Sequence, residues 1–77
     1  MGPFRAASLA PSEGVVHNNL GSVLRKLGLG EQSAAEYAMA TQAAPSQPLF
    51  AFNHALALHE IGQVIVIIMY IILYIIL

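Results

Sequence analysis

The strongest constraint on this chain is a pattern that recurs after 34 residues. When the sequence is shifted by that distance, small, polar and turn-forming residues coincide. The coinciding pairs are Ala6 with Ala40, Ala10 with Ala44, Pro11 with Pro45, Ser12 with Ser46, Asn19 with Asn53, Leu24 with Leu58, Leu27 with Ile61 and Gly28 with Gly62. A period of this length is typical of stacked repeats. One complete unit covers residues 14–47, part of a preceding unit covers 1–13, and the first helix of a following unit covers 48–63.

The first half of the complete unit predicts an amphipathic helix. Its apolar residues recur at the spacing of one helical face: Val16, Leu20, Val23, Leu24 and Leu27. Ser12 is a residue type that caps helix N-termini, and Glu13 favours the positive end of the helix dipole. Gly28 and Gly30 can end the helix, because glycine adopts the left-handed conformation common at helix C-termini. We therefore expect this helix to bury its apolar face.

Two further helices are predicted after this one. The second covers residues 31–44 and ends before Pro45, with a buried stripe of Ala34, Tyr37, Ala38 and Thr41. The third covers residues 48–61 and ends at Gly62, with the inward residues Phe50, Leu58 and Ile61. Neighbouring helices must stack, because none of them can cover its own apolar face. The expected fold is therefore all-α, a short solenoid of about two helical hairpins.

The residues of the complete unit resemble the tetratricopeptide repeat family. The matching residues, in the order and spacing of that family, are Leu20, Gly21, Leu24, Gly28, Ser33, Tyr37, Ala40 and Pro45. The small residues among them are expected where helices approach closely. The chain departs from the pattern at His17 and Ala51, where tryptophan is frequent, at Gly30, where an aromatic is common, and at His54-Ala55, which replaces Leu-Gly. These departures weaken local packing and leave the predicted hairpin intact.

The resemblance implies a concave groove, lined by the first helix of each hairpin, that binds a peptide or a partner helix. Carried over position by position, the peptide-binding residues are Asn18, Asn19, Ser22, Arg25, Phe52, Asn53, Leu56 and His59. Asn19 and Asn53 occupy one register, which is similar to the asparagine ladder in the repeats of O-linked N-acetylglucosamine transferases. An amide can pair with any peptide backbone because it both donates and accepts hydrogen bonds. The simpler alternative is that both asparagines are solvated polar residues.

The C-terminus is an uncharged apolar segment, residues 64–77, which we call the apolar tail. Its candidate membrane residues are Val64, Ile65, Val66, Ile67, Ile68, Met69, Tyr70, Ile71, Ile72, Leu73, Tyr74, Ile75, Ile76 and Leu77. As a helix it would span about 21 Å, short of a hydrocarbon core of about 30 Å. No Lys or Arg flanks it in sequence to set an orientation. Its many Ile and Val residues favour strands and aggregation in water.

Three interpretations of the apolar tail follow from its composition. It can be a C-terminal membrane anchor, a translated non-coding or low-complexity stretch that truncates a longer repeat array, or a segment buried by a partner. We prefer truncation for its origin and membrane association for its physical behaviour. Since a core below about 80 residues rarely supplies more than 3–5 kcal/mol, we expect the chain to need further repeats, a partner or lipid for stability.

Composition and motifs argue against several other functions. With a net charge of −1 and no cysteine, the chain lacks the basic surface of a nucleic-acid binder and any thiolate zinc site. The histidines His17, His54 and His59 do not have metal-ligand spacing, and Glu31 and Glu36 are expected on a solvated face. We predict no catalysis, cofactor, metal or small-molecule substrate. The alternative function is a non-catalytic repeat fragment of a larger glycosyltransferase-type enzyme.

The N-terminal sequence shows no targeting signal. It has one charge, Arg5, and no long apolar run, and Ala6 stands where a myristoylation signal needs Ser or Thr. We therefore expect a cytoplasmic protein or one on the cytosolic side of a membrane, with a protein or peptide ligand and a lipid bilayer as its partners.

Overall fold

The computed structural model describes residues 12–76, which form three helices. They are α1 (Glu13–Lys26), α2 (Gly30–Ala43) and α3 (Pro48–Ile76), and the described residues contain no strand. The predicted all-α class and the apolar C-terminal helix are confirmed. The partial repeat predicted for residues 1–13 lies outside the described residues as far as Pro11, and so does Leu77.

Both ends of α1 follow the predicted capping chemistry. The Val15 backbone N–H donates to the Ser12 hydroxyl at 3.3 Å, so Ser12 is the N-cap. At the other end the Leu29 N–H donates to the Leu24 carbonyl at 3.0 Å and the Gly28 N–H donates to the Arg25 carbonyl at 3.1 Å. This is the Schellman arrangement, and it requires the left-handed backbone that Gly28 adopts at φ 80°. Gly30 is the first residue of α2.

The hairpin of α1 and α2 closes on a seam of small residues around one tyrosine. A Cβ added to Gly21 would lie 2.8 Å from two ring atoms of Tyr37, so the helix backbone lies directly on the ring. The Ser33 hydroxyl donates to the Gly21 carbonyl at 2.7 Å and is fully buried. Ala40 is also fully buried. The expectation that the small positions mark close helix approach is therefore confirmed here.

The first part of α3, Pro48–Ile61, packs on α2. We call Phe50, Ala57 and Ile61 the α3 contact residues. Ala57 forms the core with Ala34 and Tyr37, and Ile61 packs against that core half-buried. The Phe50 ring is 6% exposed and reaches the Gly14 backbone of α1. The buried residues of α1, Gly14 and Gly21, and those of α3, Phe50 and Ala57, are seven apart, so these two helices use a narrow face for their contacts.

Beyond Ile61 the helix leaves the rest of the protein. Every residue from 62 to 76 is exposed, so the described part of the apolar tail continues α3 as a helix that packs against no other element. The extents of 68 × 23 × 12 Å reflect this projection. The radius of gyration is 17.0 Å, against about 11 Å for a compact domain of this length.

The predicted buried face of α1 is wrong. Four of its five residues are exposed by 44–67%: Val16, Leu20, Val23 and Leu27, which we call the α1 stripe. The buried residues of α1 are Gly14 and Gly21. Because α2 and α3 both contact the opposite side of α1, none of the described residues covers the α1 stripe. The stripe predicted on α2 is correct for Ala34 and Tyr37, whereas its other two residues are only half-buried.

The third helix does not end at Gly62, and Leu58 is 51% exposed rather than inward. Gly62 is the repeat counterpart of Gly28, yet α3 continues through it. If the apolar tail folded back as α2 does, Ile67 and Tyr74 would replace Ser33 and Ala40. Those two positions have no free space in α2, so bulky residues there oppose a second hairpin. The strand preference of Ile and Val is overridden as well, since the segment is helical.

Candidate functional site

The predicted groove residues lie along the line where α1 and α3 run side by side. The Asn53 side-chain amide donates to the Asn18 side-chain oxygen at 2.9 Å, and both residues are partly buried. The Ser22 hydroxyl donates to the Asn18 carbonyl at 3.2 Å and lies 3.0 Å from the Tyr37 hydroxyl. Three of the predicted site residues are therefore brought together as a polar contact between helices.

A second polar contact between α1 and α3 lies seven residues further along both helices, at Arg25 and Glu60. Arg25 donates from Nε to Glu60 Oε1 at 2.7 Å and from a terminal nitrogen to Oε2 at 2.6 Å. These hydrogen bonds lower the pKa of Glu60 below its ordinary value, and bonding to Glu60 raises the pKa of Arg25. The bidentate pair links α1 to α3 at the last charged residue before the apolar tail.

The remaining predicted groove residues are more accessible. Asn19 is exposed, Phe52 is 64% exposed and Leu56 is half-buried. His59 is exposed, and its Nε2 lies 3.1 Å from the side-chain nitrogen of Gln63. Leu49, one turn before Phe52, is 58% exposed. The α3 side of the site is therefore a row of apolar side chains. It lies beside the hydrogen-bonded residues Asn18, Ser22 and Asn53, which we call the polar floor.

The two asparagines aligned by the repeat have different environments. The Asn53 side chain bonds to Asn18, while the Asn19 side chain has no hydrogen bond among the described residues. Both polar contacts between α1 and α3 join residues 35 apart, Asn18 to Asn53 and Arg25 to Glu60, one more than the repeat distance. Comparison of like residues at the 34-residue offset does not reveal these contacts. The available signal was that residues able to pair, Asn18 with Asn53 and Arg25 with Glu60, recur 35 residues apart.

A cleft of about 410 Å³ opens where α3 departs from the hairpin. Its wall combines the charged residues Arg25, Glu31 and Glu60 with five apolar residues of α3, namely Ala57, Ile61, Val64, Ile65 and Ile68. The chain therefore brings a cationic side chain close to the start of the apolar tail in space, although no Lys or Arg flanks the tail in sequence.

By length and composition, α3 is the one described helix that could cross a membrane. Glu60 is its last charged residue, and Ile61–Ile76 would rise about 24 Å along a straight helix. Its tail carries apolar side chains around the whole circumference, all of them exposed. A helix with that surface is stable in lipid or against apolar protein, because water solvates none of its sides favourably.

The histidines have separate environments. His17 Nδ1 lies 2.8 Å from Glu36 Oε1 and joins α1 to α2, so Glu36 is not on a purely solvated face as expected. His54 is half-buried and His59 is exposed. Within residues 12–76 no group of three or more His, Cys, Asp or Glu side chains could hold a metal ion.

The described residues form a tightly packed helical hairpin that carries a long, exposed apolar helix. Comparison with family models, with curated protein sequences and with solved structures finds no match to the chain.

Proposed function

We propose that this chain is a tetratricopeptide-like scaffold that attaches to a membrane through its apolar tail and binds another protein through the face between α1 and α3. The observation that carries the proposal is the contrast between the packed hairpin and the wholly exposed, uncharged helix from 62 to 76. A bilayer would remove that apolar surface from water at about 25 cal/mol per Å².

The tetratricopeptide-like character is supported by the local geometry of the complete unit. Gly28 has the left-handed turn conformation, and Gly21, Ser33 and Ala40 are buried around Tyr37. These are the positions at which the resemblance expects close packing. The way α3 packs on α2 is what a following repeat would use.

The binding face is proposed from its exposed residues. Phe52 and Leu49 on α3 flank the Asn18–Asn53 hydrogen bond, with Val15 and Asn19 across it on α1. Because the polar floor is internally bonded, affinity would come from the apolar residues, and orientation from the free amide of Asn19. A partner segment with apolar side chains and an accessible backbone matches this surface.

Photo-crosslinking from single positions tests the binding face in the full-length protein. We expect p-benzoylphenylalanine at Phe52 to give a discrete crosslinked species in cells, and Asn19→Ala to weaken it. The matched control is the same amino acid at Met39, an exposed apolar residue of α2 at 46% exposure, which we expect to give none. Identical crosslinking from both positions would refute the assignment of the face.

Alkaline carbonate extraction tests the membrane attachment. We expect the full chain to stay in the membrane pellet, because the apolar tail is held by hydrophobic burial rather than by charge. A chain that ends at Gln63 should move to the supernatant. Release of the full chain into the supernatant would contradict membrane attachment.

A further inference from the structure

We infer that the chain forms a parallel pair with a second copy of itself through one face of the apolar helix. Between residues 62 and 76 the side chains that can form hydrogen bonds are Gln63, Tyr70 and Tyr74, which we call the polar stripe. At about 100° per residue they lie within an arc of about 40° on one face of α3. The inference rests on the membrane attachment proposed above.

The depth of Tyr70 in a bilayer shows why this face needs a partner. Tyr70 is nine residues beyond Ile61, which is about 14 Å along an upright helix and close to the centre of a hydrocarbon core of about 30 Å. Tyrosines are enriched at the membrane interfaces, where the hydroxyl reaches water. A hydroxyl near the centre has no such contact, and leaving it unpaired in hydrocarbon is costly. Because this part of α3 packs against no other described element, the hydrogen-bond partner must come from another polypeptide.

The polar stripe is complementary to itself. A tyrosine hydroxyl and a glutamine carboxamide each both donate and accept hydrogen bonds. In a two-fold pair every residue near the axis faces its own copy, so each of these groups meets a group that can bond to it. The cleft side of α3 differs, since a second copy there would bring Arg25, Glu31 and Glu60 close to identical charges. Self-association through the polar stripe avoids that repulsion.

The hairpin leaves the polar stripe accessible to a second helix. The stripe lies about 140° around α3 from the α3 contact residues, so α2 packs on the far side of the helix. At the start of the stripe the surface forms an open concavity of about 640 Å³, lined by His59, Gly62, Gln63, Val66 and Ile67. Helix association in membranes depends on close packing of this kind together with hydrogen bonds between the helices.

Disulfide crosslinking of the full chain in phosphatidylcholine liposomes, at a large excess of lipid, tests the pair. Because the chain has no cysteine, Ile67→Cys and Ile68→Cys each introduce a single thiol. The two positions differ in depth by only about 1.5 Å, but Ile67 borders the polar stripe and Ile68 lines the cleft. We expect Ile67→Cys to form covalent dimers at least about fivefold faster, since a disulfide needs Cα atoms within about 7 Å. Equal rates at the two positions would overturn the inference.

Removal of the two hydroxyls tests the hydrogen bonds. Tyr70→Phe with Tyr74→Phe keeps both aromatic rings and the apolar surface of the helix. In the Ile67→Cys chain we expect this double substitution to reduce dimer formation about fivefold, because hydrogen bonds between helices stabilise association in membranes. Dimer formation at the parent rate would show that the hydroxyls do not hold the pair together.

A composition-matched control separates the position of the hydroxyls from their number. Ile72→Tyr with Ile76→Tyr, added to the phenylalanine variant, restores two hydroxyls at the same spacing on the opposite face of α3. We expect dimer formation at Ile67→Cys to stay low. Recovery of the parent rate would contradict the inference, because tyrosine content and not the polar stripe would then govern association.

Flotation of the same liposomes in alkaline carbonate distinguishes this inference from the proposed membrane attachment. We expect the parent chain and every variant to remain with the liposomes. A chain that remains with them but forms no dimers selectively at Ile67→Cys contradicts the pair and leaves membrane attachment standing. Release of the parent chain from the liposomes contradicts both, because the polar stripe would then be solvated by water.

Discussion

The two parts of α3 share one continuous backbone but differ in what surrounds them. From residue 48 to residue 61 the helix has a buried face, and two of its polar residues, Asn53 and Glu60, bond to α1. From Gly62 to Ile76 it has no buried residue and no charge. The first part derives its stability from side-chain packing, whereas the second depends on the solvent around it. This difference shows that helix formation and burial are separate requirements in this chain.

The glycines show the same difference at the level of single atoms. Gly21 lies against the Tyr37 ring, Gly28 has a positive φ in the turn, and Gly62 has open space around it inside a helix. Each is the same residue with a different role, so alanine at each position should have a different effect. The predictions below use these contrasts.

The largest effect is expected from charge in the apolar tail. Ile68→Lys combined with Ile71→Lys should release the chain from the membrane, since each lysine near a bilayer centre costs about 2.5–3.5 kcal/mol. The measurement is the fraction of chain recovered in the carbonate supernatant. The control is Val23→Lys with Leu27→Lys on the packed part, which should leave the chain in the pellet. Retention of the first variant would show that the apolar tail is not inserted.

Gly21→Ala should destabilise the hairpin by about 1–3 kcal/mol, because the added methyl overpacks the buried Tyr37 ring. The usual gain of helix propensity from alanine, about 1 kcal/mol, offsets only part of this cost. Hydrogen-exchange protection of the α2 amides in nanodiscs measures the loss. Unchanged protection would mean that α1 and α2 are further apart than described.

Gly28→Ala should reduce stability by about 1–2 kcal/mol, because a side chain disfavours the left-handed backbone at φ 80°. No neighbouring atom lies within 4 Å of the added Cβ, so strain of the backbone is the whole effect. Asparagine should restore part of the loss, since it tolerates this conformation better. The same exchange measurement compares the two variants, and equal stability of both would contradict this explanation.

Gly62→Ala should have the opposite sign and raise the stability of α3 around residue 62 by about 0.5–1 kcal/mol. The added methyl meets nothing within 4 Å, and the residue lies inside a helix. Slower amide exchange near residue 62 would report the gain. Faster exchange there would indicate that the chain turns at Gly62 as it does at Gly28.

The smallest effect is expected at the Arg25–Glu60 pair. Because the pKa of Glu60 is lowered in the folded chain, the folded state binds fewer protons than the unfolded state at acid pH. The contribution of the pair is therefore present above the ordinary pKa of 4.5 and is lost as pH falls through the lowered value. Both side chains are 42% exposed, so screening by solvent keeps the contribution small.

Glu60→Gln should remove this pH dependence in α3 amide exchange below pH 4.5. Glu31→Gln is the matched control, because Glu31 lies at the same cleft without a hydrogen bond to Arg25. A pH profile that is the same in the parent and in Glu60→Gln would show that the pair does not couple α1 to α3.

The sequence could predict those parts of the fold that depend on local chemistry. Ser12 as a cap, Gly28 as a turn residue and the small residues around Tyr37 each have one structural role that their neighbours define. The bounds of α1 and α2 followed from the same signals, whereas the end of α3 did not. The burial predicted from hydrophobic spacing was wrong at the α1 stripe. An apolar helix face indicates that burial would be favourable, but it does not show that a partner is present.

The sequence could not predict the end of α3 for a different reason. Gly28 and Gly62 are equivalent in the repeat, but Gly28 is followed by a second glycine, Gly30, and then by the small residues of α2. Gly62 is followed by Val64 and by bulky residues at the corresponding positions. Whether a glycine ends a helix therefore depends on whether the next segment can pack back. The groove residues were only partly predictable. The pairing of Asn18 with Asn53 depends on the lateral offset between α1 and α3, which the sequence does not specify.

The most direct test of the central claim is the bilayer depth of single sites along the apolar tail. Spin labels on cysteines replacing Ile65, Ile68, Ile71 and Tyr74 in nanodiscs report depth from their relative exposure to oxygen and to a nickel chelate. An inserted upright helix predicts depth that increases by about 1.5 Å per residue from Ile65 to Ile71, near the bilayer centre, and does not increase further at Tyr74. Depth that oscillates with the helical period, or equal exposure of all four sites to the chelate, would contradict insertion.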